Sequence, residues 1–523
     1  MAEHTGKDIR AGIIFILVLV VLTTGVYLAW PLITGQGSPR LSGLRSGDTI
    51  RIAAREAPQS LDIRTEEGSP ADQALMGNVY QTLLAPDPQG NPAPGLAQSW
   101  DVSADGLIYT FHIRTDARFS DGRALDSSDA LWSLQQIVEK QYAGHEWLTN
   151  LSRVNNPAPT TLSIGLNRPD AHLLTALTGR AGIVYDRHAQ VDYSTESAGS
   201  GPYRVKDWQP GISLTLARNE HYQGPDKAKT DTVVLTYDRS RDASAVKQVQ
   251  EGNLDAIVDL PPADATPAKE AASKEGKTKT GKGVKLLNGP SQSNLVLAFN
   301  NSSGSLLSDQ HVREAVRYAL DRQSLADLEA GGAKPLGGPL NEMSPGFDAG
   351  LQAFPHDTDK ASRFASYYAQ PYYRGGLRLV YQDTYGKRIG DLIASQLKEV
   401  GIPSKVTMVD RSTFRDQVLG RHDYDMTLLT MNNDQIGQFA DPNATMLFDN
   451  REVQDAWIQV IGSTSQDQYA SRLGGYARQV SDLSPSDWLY ARTPQVLTSS
   501  KLQGMPRTMV DQYLPLWNLE VKD

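Results

Sequence analysis

Hydrophobic and polar positions between Leu96 and Ile137 predict a strand, a turn, a second strand, another turn and a helix. Tyr109, Phe111 and Ile113 alternate with polar residues, the period of two that is typical of a half-buried strand. Short polar residues and glycine on both sides of this strand favour tight turns. Asp126 then precedes an apolar face with helical spacing, so we expect it to cap that helix.

The same two periodicities predict further elements along the chain. Strands are expected at residues 49–54, 295–300, 377–381 and 424–429, and helices at residues 74–83, 312–322 and 389–400. Residues 261–283 are poor in apolar side chains and rich in Lys, Ala, Pro and Thr, which predicts a solvated, mobile insertion.

The N-terminal segment has a different pattern, because no charged residue occurs between Arg10 and Arg40. Residues 11–33 are almost wholly apolar and match the ~20 residues that cross a bilayer core. A cleaved signal peptide is the alternative, but its apolar core is usually only about 7–15 residues long. We therefore predict a short cytoplasmic tail (residues 1–10), a transmembrane anchor or uncleaved signal (11–33) and a linker (34–47), with the bulk of the chain outside.

Composition narrows the possible functions. The 523 residues include 51 basic and 60 acidic side chains, a net charge of −9, which disfavours a nucleic-acid partner. The chain has no cysteine, which excludes disulfides, thiolate chemistry and a lipid anchor on cysteine. Its nine histidines are scattered and form none of the common hydrolase or metal motifs. We predict no enzyme activity, no cofactor and no metal site.

Several motifs together resemble one family, the large extracytoplasmic solute-binding proteins of peptide-type ABC importers (peptide/oligopeptide, family 5). The run from Pro94 to Asp129 carries LA, SW, VS, DG, YTF, IR and FSDG at the family's spacing. Residues 200–205 (SGPYRV), 251–256 (EGNLDA) and 312–322 (VREAVRYALDR) are similar to later family motifs. The resemblance extends from about residue 49 to the end of the chain.

This resemblance implies an α/β, two-lobed fold like that of periplasmic binding proteins, of the class II or cluster C type. The two lobes would close around a ligand like a venus flytrap, with an extra domain inserted early. The transmembrane helix predicted from the apolar run of residues 11–33 would precede them. The implied boundaries are residues 48–75, 198–298 and 496–523 for domain I, 76–197 for domain II, and 299–495 for domain III.

The resemblance also implies where a ligand would bind. Peptide-binding members neutralise the ligand's ammonium with a carboxylate just after the strand that matches residues 424–429, which places Asp434 there. Met431, Asn432 and Asn433 belong to the same run, and Met431 stands where an aromatic residue is usual. From the residues alone, Asp434 could equally be an exposed loop carboxylate or part of an Asx-turn, and Met431 could be an ordinary core residue.

A second group of residues would border the ligand by the same resemblance. It comprises Glu67, Gly68, Ser69 and Pro70, which lie between the first strand and the following helix. The alternative is an ordinary turn before that helix.

These inferences predict a membrane-tethered, single-pass, extracytoplasmic solute-binding protein. Its partners would be a peptide or other small polar solute, the permease and ATPase of an ABC importer, and the cytoplasmic membrane through the N-terminal helix. The alternative is a scaffold or sensor of the cell envelope that keeps the solute-binding fold but takes no part in transport. The helical anchor and the departure at Met431 favour that alternative.

Overall fold

The computed structural model describes residues 49–65, 69–237, 245–260, 265–273, 283–329, 332–351, 354–369 and 375–522. Residues from Ile50 onward form one compact unit. The predicted tail, anchor and linker (residues 1–47) lie outside the described residues. Within the described ranges, no helix is both long and apolar enough to span a membrane.

The β-strands of the described residues are numbered in chain order. They are β1 (Thr49–Ala53), β2 (Leu84–Pro86), β3 (Pro92–Pro94), β4 (Ala97–Val102), β5 (Ile108–Ile113), β6 (Leu151–Ala158), β7 (Thr161–Leu166), β8 (Tyr203–Gln209), β9 (Ser213–Arg218), β10 (Thr232–Thr236), β11 (Ala256–Val258), β12 (Val284–Asn288), β13 (Ser293–Phe299), β14 (Lys334–Pro335), β15 (Leu377–Gln382), β16 (Ser404–Val409), β17 (Met426–Asn432), β18 (Ser486–Ala491), β19 (Gln495–Ser499), β20 (Leu502–Gln503) and β21 (Glu520–Val521).

The α-helices of the same residues are α1 (Ser69–Leu75), α2 (Ser127–Glu139), α3 (Leu173–Ala176), α4 (Ala245–Glu251), α5 (Ala265–Ser273), α6 (Gln310–Ala319), α7 (Arg322–Ala326), α8 (Thr358–Ala369), α9 (Lys387–Glu399), α10 (Arg411–Phe414), α11 (Arg451–Ile461) and α12 (Gln466–Leu483). Two 3₁₀ helices, His145–Leu148 and Asn433–Ala440, are important for the site described below.

Three larger sheets organise these elements into two lobes. A seven-stranded sheet has the order β12-β19-β11-β1-β10-β9-β8, and a four-stranded sheet has the order β4-β5-β7-β6. One continuous hydrophobic core joins these two sheets, and we call them together the first lobe. The six-stranded sheet β14-β18-β13-β17-β15-β16 has separate cores and forms the second lobe. The predicted two-lobed α/β architecture is therefore present.

The chain passes between the lobes at two short crossovers, residues 289–292 between β12 and β13, and residues 492–494 between β18 and β19. Arg492 of the second crossover donates its backbone N–H at 2.9 Å to the carbonyl of Ser293, the residue that directly follows the first crossover. A few connecting residues of this kind are where hinge motion between two lobes usually takes place, so we call the two crossovers together the hinge.

The structure confirms the unit predicted for residues 96–137. It forms β4, β5 and α2, and Tyr109, Phe111 and Ile113 are the buried residues of β5. Asp126 caps α2, and the Asp129 side chain accepts the backbone N–H of Asp126, which completes a capping box. The sequence signal was strong here because local turn and cap chemistry agree with the apolar periodicity.

Two other sequence predictions were wrong. The helix predicted at residues 74–83 instead spans Ser69–Leu75, since Gly77 adopts a left-handed backbone (φ +71°) just beyond it. The 261–283 insertion is not wholly irregular, because its described part, Ala265–Ser273, is helix α5. Ala268 of that helix is fully buried in a small apolar cluster with Val284 and Leu497, which explains why this stretch is ordered.

Candidate functional site

A cavity of about 880 Å³ lies between the two lobes. Its walls come from α1, residues 143–147 and residues 172–180 on the first lobe, and from residues 430–441 and Trp457 on the second. The crossover residues Gln292 and Arg492 also line it. Small-molecule sites typically enclose about 300–1,000 Å³, so the cavity fits a solute of the size of a short peptide.

Asp434 projects into this cavity from the second lobe. It lies in the first turn of the 3₁₀ helix Asn433–Ala440, which directly follows β17. Ile436 and Phe439 of the same helix are buried in the core of the second lobe, where Phe439 packs edge-on against Trp488 with ring centroids 5.4 Å apart. These apolar contacts fix one face of the helix and leave Asp434 on the face toward the cavity.

A closed ring of three buried asparagines fixes the start of that helix. The Asn294 amide donates to the Asn433 side-chain oxygen at 3.1 Å, Asn433 donates to Asn341 at 2.8 Å, and Asn341 donates to Asn294 at 2.7 Å. Asn341 also donates to the carbonyl of Ser291 in the first crossover at 2.9 Å. The backbone next to Asp434 is therefore tied directly to the hinge.

The Asp434 carboxylate has no cationic partner among the described residues. Its side chain is open to the cavity, and its oxygens accept only backbone N–H groups, its own and that of Gln435. Desolvation by the cavity walls, together with the charges of Asp72 and Glu146, raises the pKa of Asp434 to about 6. A carboxylate in this environment is strongly stabilised by a cation that enters the cavity.

Asp72 and Glu146 lie on the first-lobe wall of the same cavity. Asp72, in α1, is paired with Arg180 at 2.7 Å, although burial still raises its pKa above the ordinary value. Glu146, in the 3₁₀ helix His145–Leu148, accepts the backbone N–H of Gly144 at 3.1 Å and lies 3.4 Å from the ring of His145. The two walls thus present acidic groups toward the same space.

An ion-pair network occupies the end of the cavity at the hinge. Arg492 lies 2.9 Å from Asp259, 3.2 Å from Glu329 and 3.4 Å from Asp511. Arg55 pairs with the other oxygen of Asp259 at 3.0 Å. Burial alone would raise the pKa of Asp259, but the charges of Arg492 and Arg55 outweigh it and hold that pKa below its usual value. The network joins both lobes to the second crossover.

Aromatic rings line the cavity near Asp434. His172 stacks at a tilt against Trp147, with ring centroids 4.6 Å apart, and lies 6.1 Å from the ring of Tyr469 across the cleft. His172 is only 5% exposed, and within the described ranges its ring nitrogens have no hydrogen-bond partner. Burial lowers the pKa of His172 to about 4, so the ring is neutral near pH 7.

Some of the ligand residues predicted from the sequence line the cavity, and others do not. Asp434, Asn432 and Pro70 line the cavity, and the Asn432 side chain accepts hydrogen bonds from Gln512 at 2.9 Å and Ser293 at 3.1 Å. Met431 and Asn433 do not line it. Met431 is buried in the apolar core of the second lobe, which fits the core alternative, and Asn433 belongs to the asparagine ring.

The predicted group at residues 67–70 is only partly described. Glu67 and Gly68 lie outside the described residues, and Ser69 is the first residue of α1. Pro70 follows it in the same helix and contacts the cavity. The alternative, a turn that leads into a helix, also fits this arrangement.

No sequence pattern pointed to Glu146, His172, Arg180 or Arg492 as site residues. They come from segments far apart in the chain, and none belongs to a recognisable local motif. Only the packing of the two lobes brings these four residues to one cavity.

Two α/β lobes, two crossovers and a polar cavity between the lobes define the class of periplasmic-type binding proteins. Residues 91–452 match the family model of the bacterial extracellular solute-binding proteins, family 5. The chain therefore belongs to this family, as its motifs predicted.

Individual relatives agree with this assignment. The chain is 25% identical over 493 residues to the probable D,D-dipeptide-binding periplasmic protein DdpA of Escherichia coli (strain K12), covering 87% of this chain and 91% of that one. The periplasmic binding protein DppA of Helicobacter pylori, solved with the peptide STSA, has a similar fold (TM-score 0.77, 18% identity, 91% and 98% coverage). NikA of Staphylococcus aureus, solved with Ni(L-His)2, is also similar in fold (TM-score 0.76, 18% identity, 91% and 100% coverage).

Proposed function

We propose that this protein captures short peptides with a free amino end between its lobes and delivers them to the permease and ATPase of an ABC importer. The observation that carries the proposal is the unpaired Asp434 carboxylate in the cavity. A peptide's terminal ammonium supplies the missing charge, and the backbone of an extended peptide can bond to polar groups of both walls. The peptide-binding relatives DdpA and DppA support this ligand class.

The test is a double-mutant cycle measured by calorimetry. The wild-type protein and Asp434→Asn are each titrated with trialanine and with N-acetyl-trialanine, which lacks the ammonium. Removing either partner of a desolvated charge pair costs about 2–5 kcal/mol, so each single change should weaken binding by about 30-fold or more. The two changes together should cost little more than either one alone.

A matched control is Asp467→Asn, because Asp467 also lies in the first turn of a helix but outside the cavity. This variant should bind trialanine as the wild type does. Fully additive losses in the cycle would show that Asp434 is not the ammonium partner. Failure of every peptide to bind would reject peptide capture and favour an envelope scaffold or sensor.

We further propose that residues 11–33 keep the protein in the cytoplasmic membrane with the lobes outside. Their uninterrupted apolar character supports this role. After alkaline carbonate washing of membranes, the full-length chain should stay in the pellet at its full mass. A shortened, soluble product would instead show that the segment is a cleaved signal.

A further inference from the structure

The charges around the cavity are strongly unequal. Of the described residues that line it, eight are acidic, three are arginines and none is a lysine, a formal excess of five negative charges. The acidic residues are Glu56, Asp72, Glu146, Asp259, Glu329, Asp434, Asp441 and Asp511. One peptide ammonium would leave most of this excess uncompensated.

All three arginines are already paired with the protein's own carboxylates. Arg180 pairs with Asp72 at 2.7 Å, Arg55 pairs with Asp259 at 3.0 Å, and Arg492 pairs with Asp259, Glu329 and Asp511. A ligand carboxylate or phosphate would have to displace one of these carboxylates. The cavity therefore disfavours anionic ligands.

Close to Asp434, the first-lobe wall carries a group of residues suited to a second cation. Glu146 and Trp147 are neighbours in one 3₁₀ helix, and the Trp147 ring stacks on His172. We call Glu146, Trp147 and His172 the cation pocket. Carboxylates and aromatic faces both attract ammonium and guanidinium groups, the carboxylate by its charge and the ring by its π electrons.

His172 is an independent indication of a ligand at this place. It is 95% buried and lines the cavity, and its ring has no hydrogen-bond partner among the residues that the structure describes. A neutral imidazole keeps one nitrogen as an acceptor, and the ring nitrogens of His172, which are not themselves fully buried, remain accessible from the cavity. An N–H group of a bound cation would satisfy it.

We propose that the cleft selects cationic peptides, with the terminal ammonium on Asp434 and a Lys or Arg side chain near the amino end in the cation pocket. This inference rests on the proposed function and specifies its substrate class. Glu146 acts as the residue that determines specificity, because it is the only carboxylate of the cation pocket and has no arginine partner among the residues that the structure describes.

The test compares matched tripeptides by calorimetry with the full-length chain, purified in mild detergent and freed of bound solutes by reversible unfolding. Lys-Ala-Ala and Ala-Lys-Ala should bind at least about tenfold more tightly than Ala-Ala-Ala, the effect expected of one further charge contact in a partly desolvated cleft. Glu-Ala-Ala should bind at least tenfold more weakly. Norleucine-Ala-Ala, which keeps the methylene chain without the charge, should bind as Ala-Ala-Ala does.

Two variants then test whether the lysine preference arises at Glu146. Glu146→Gln should reduce the lysine preference, the ratio of the affinities for Lys-Ala-Ala and Ala-Ala-Ala, to less than about threefold. Glu139→Gln, an exposed acidic residue outside the cavity, should leave the preference unchanged. Retention of the full preference by a folded Glu146→Gln variant would overturn the assignment to the cation pocket.

The outcomes separate the two proposals. Equal binding of all tripeptides, or tightest binding of Glu-Ala-Ala, overturns charge selection and leaves peptide capture intact. Binding of none overturns both. Tight binding of norleucine-Ala-Ala would show that the pocket selects apolar length and would also overturn charge selection.

Discussion

The backbone N–H of Ala171, in the first lobe, donates to the carbonyl of Ser463, in the second lobe, at 3.2 Å. Ala171 is buried within the apolar core of the second lobe, so a residue of one lobe completes the packing of the other. The contact lies next to His172, which faces Tyr469 across the cleft. Closure of the lobes and formation of the ligand site therefore depend on the same short segment.

This contact predicts that Ala171→Asp weakens ligand binding. The new carboxylate would be desolvated only when the lobes are together, so it should disfavour the closed arrangement. We expect a loss of affinity for trialanine of at least about tenfold, since burial of an uncompensated charge costs several kcal/mol. Calorimetry measures the affinity, and small-angle scattering with saturating peptide should give a larger radius of gyration than for the wild type.

Ala104→Asp is the control for that variant, because Ala104 is exposed in the turn before β5. It should bind trialanine as the wild type does. Unchanged affinity and radius in Ala171→Asp would show that the contact with Ser463 does not contribute to closure.

The pKa of Asp434 predicts how ligand binding depends on pH. Since this pKa is raised to about 6, lowering the pH from 7 to 5 neutralises the carboxylate that would hold the ammonium. Affinity for trialanine should therefore fall by up to about tenfold per pH unit below 6. Asp72 and Glu146 face the same space, so their protonation could also change the affinity for trialanine. Asp434→Asn serves as the comparison, because it keeps these two carboxyl groups and lacks that of Asp434. The affinity of this variant for trialanine should vary much less between pH 7 and pH 5.

The raised pKa of Asp434 also affects the stability of the ligand-free protein, but here a low pH is the favourable condition. A carboxyl group whose folded-state pKa exceeds its unfolded value near 4 contributes stability below pH 4, and loses it as the pH rises through about 6. Asp434→Asn should thus raise the melting temperature of the free protein at pH 7.5 and have little effect at pH 4. A decrease at pH 7.5 would contradict the assigned environment of Asp434.

Replacement of Arg492 is expected to lower the stability of the protein strongly. Arg492→Met would leave Asp259, Glu329 and Asp511 close together without their shared cation. Removing one partner of a buried ion network typically costs about 3–5 kcal/mol, and we expect a loss of that size in the free energy of unfolding from urea titrations. Arg451→Met, at a side chain that is 92% exposed, should cost less than about 0.5 kcal/mol. Equal stability of the two variants would refute the structural role of the network.

The asparagine ring predicts a combined effect on stability and binding. Asn433→Ala would remove the acceptor of Asn294 and the donor to Asn341, both buried. Each unsatisfied group costs about 1–3 kcal/mol, and the loosened helix should also weaken trialanine binding, because Asp434 is the next residue. Asn443→Ala, at an exposed position in the same segment, is the control. An Asn433→Ala variant that is destabilised but binds normally would separate the ring from the placement of Asp434.

Sequence reasoning succeeded where local chemistry decides the structure. Asp126 caps α2 as predicted, and Gly401, with φ +82°, ends α9 at the predicted place. The helix predicted at residues 74–83 failed because Gly77 interrupts a helical pattern that otherwise continues. The buried face of α5 was not predicted, because the composition of this stretch is typical of solvated segments.

The candidate site was less predictable for a physical reason. Asp434 could be located because it follows a strand with a recognisable pattern, but its lack of a cationic partner depends on which side chains other segments bring near. Glu146 and His172 reach the cavity through the docking of lobes whose sequences show no sign of it. The balance of charges in a cleft depends on the assembled fold, so it cannot be predicted from single sequence motifs.

The seven-stranded sheet of the first lobe is built from strands that lie far apart in the chain. Strand β19, close to the C-terminus, lies between β11 and β12, and β11 pairs with β1 at the beginning of the described chain. The seven-stranded sheet therefore stays incomplete until the ribosome has made residue 499. All strands of the second lobe, β13 to β18, are contiguous in sequence and are synthesised earlier. The lobe that begins first is therefore completed last, because its sheet lacks the strand between β11 and β12 until residues 495–499 are present.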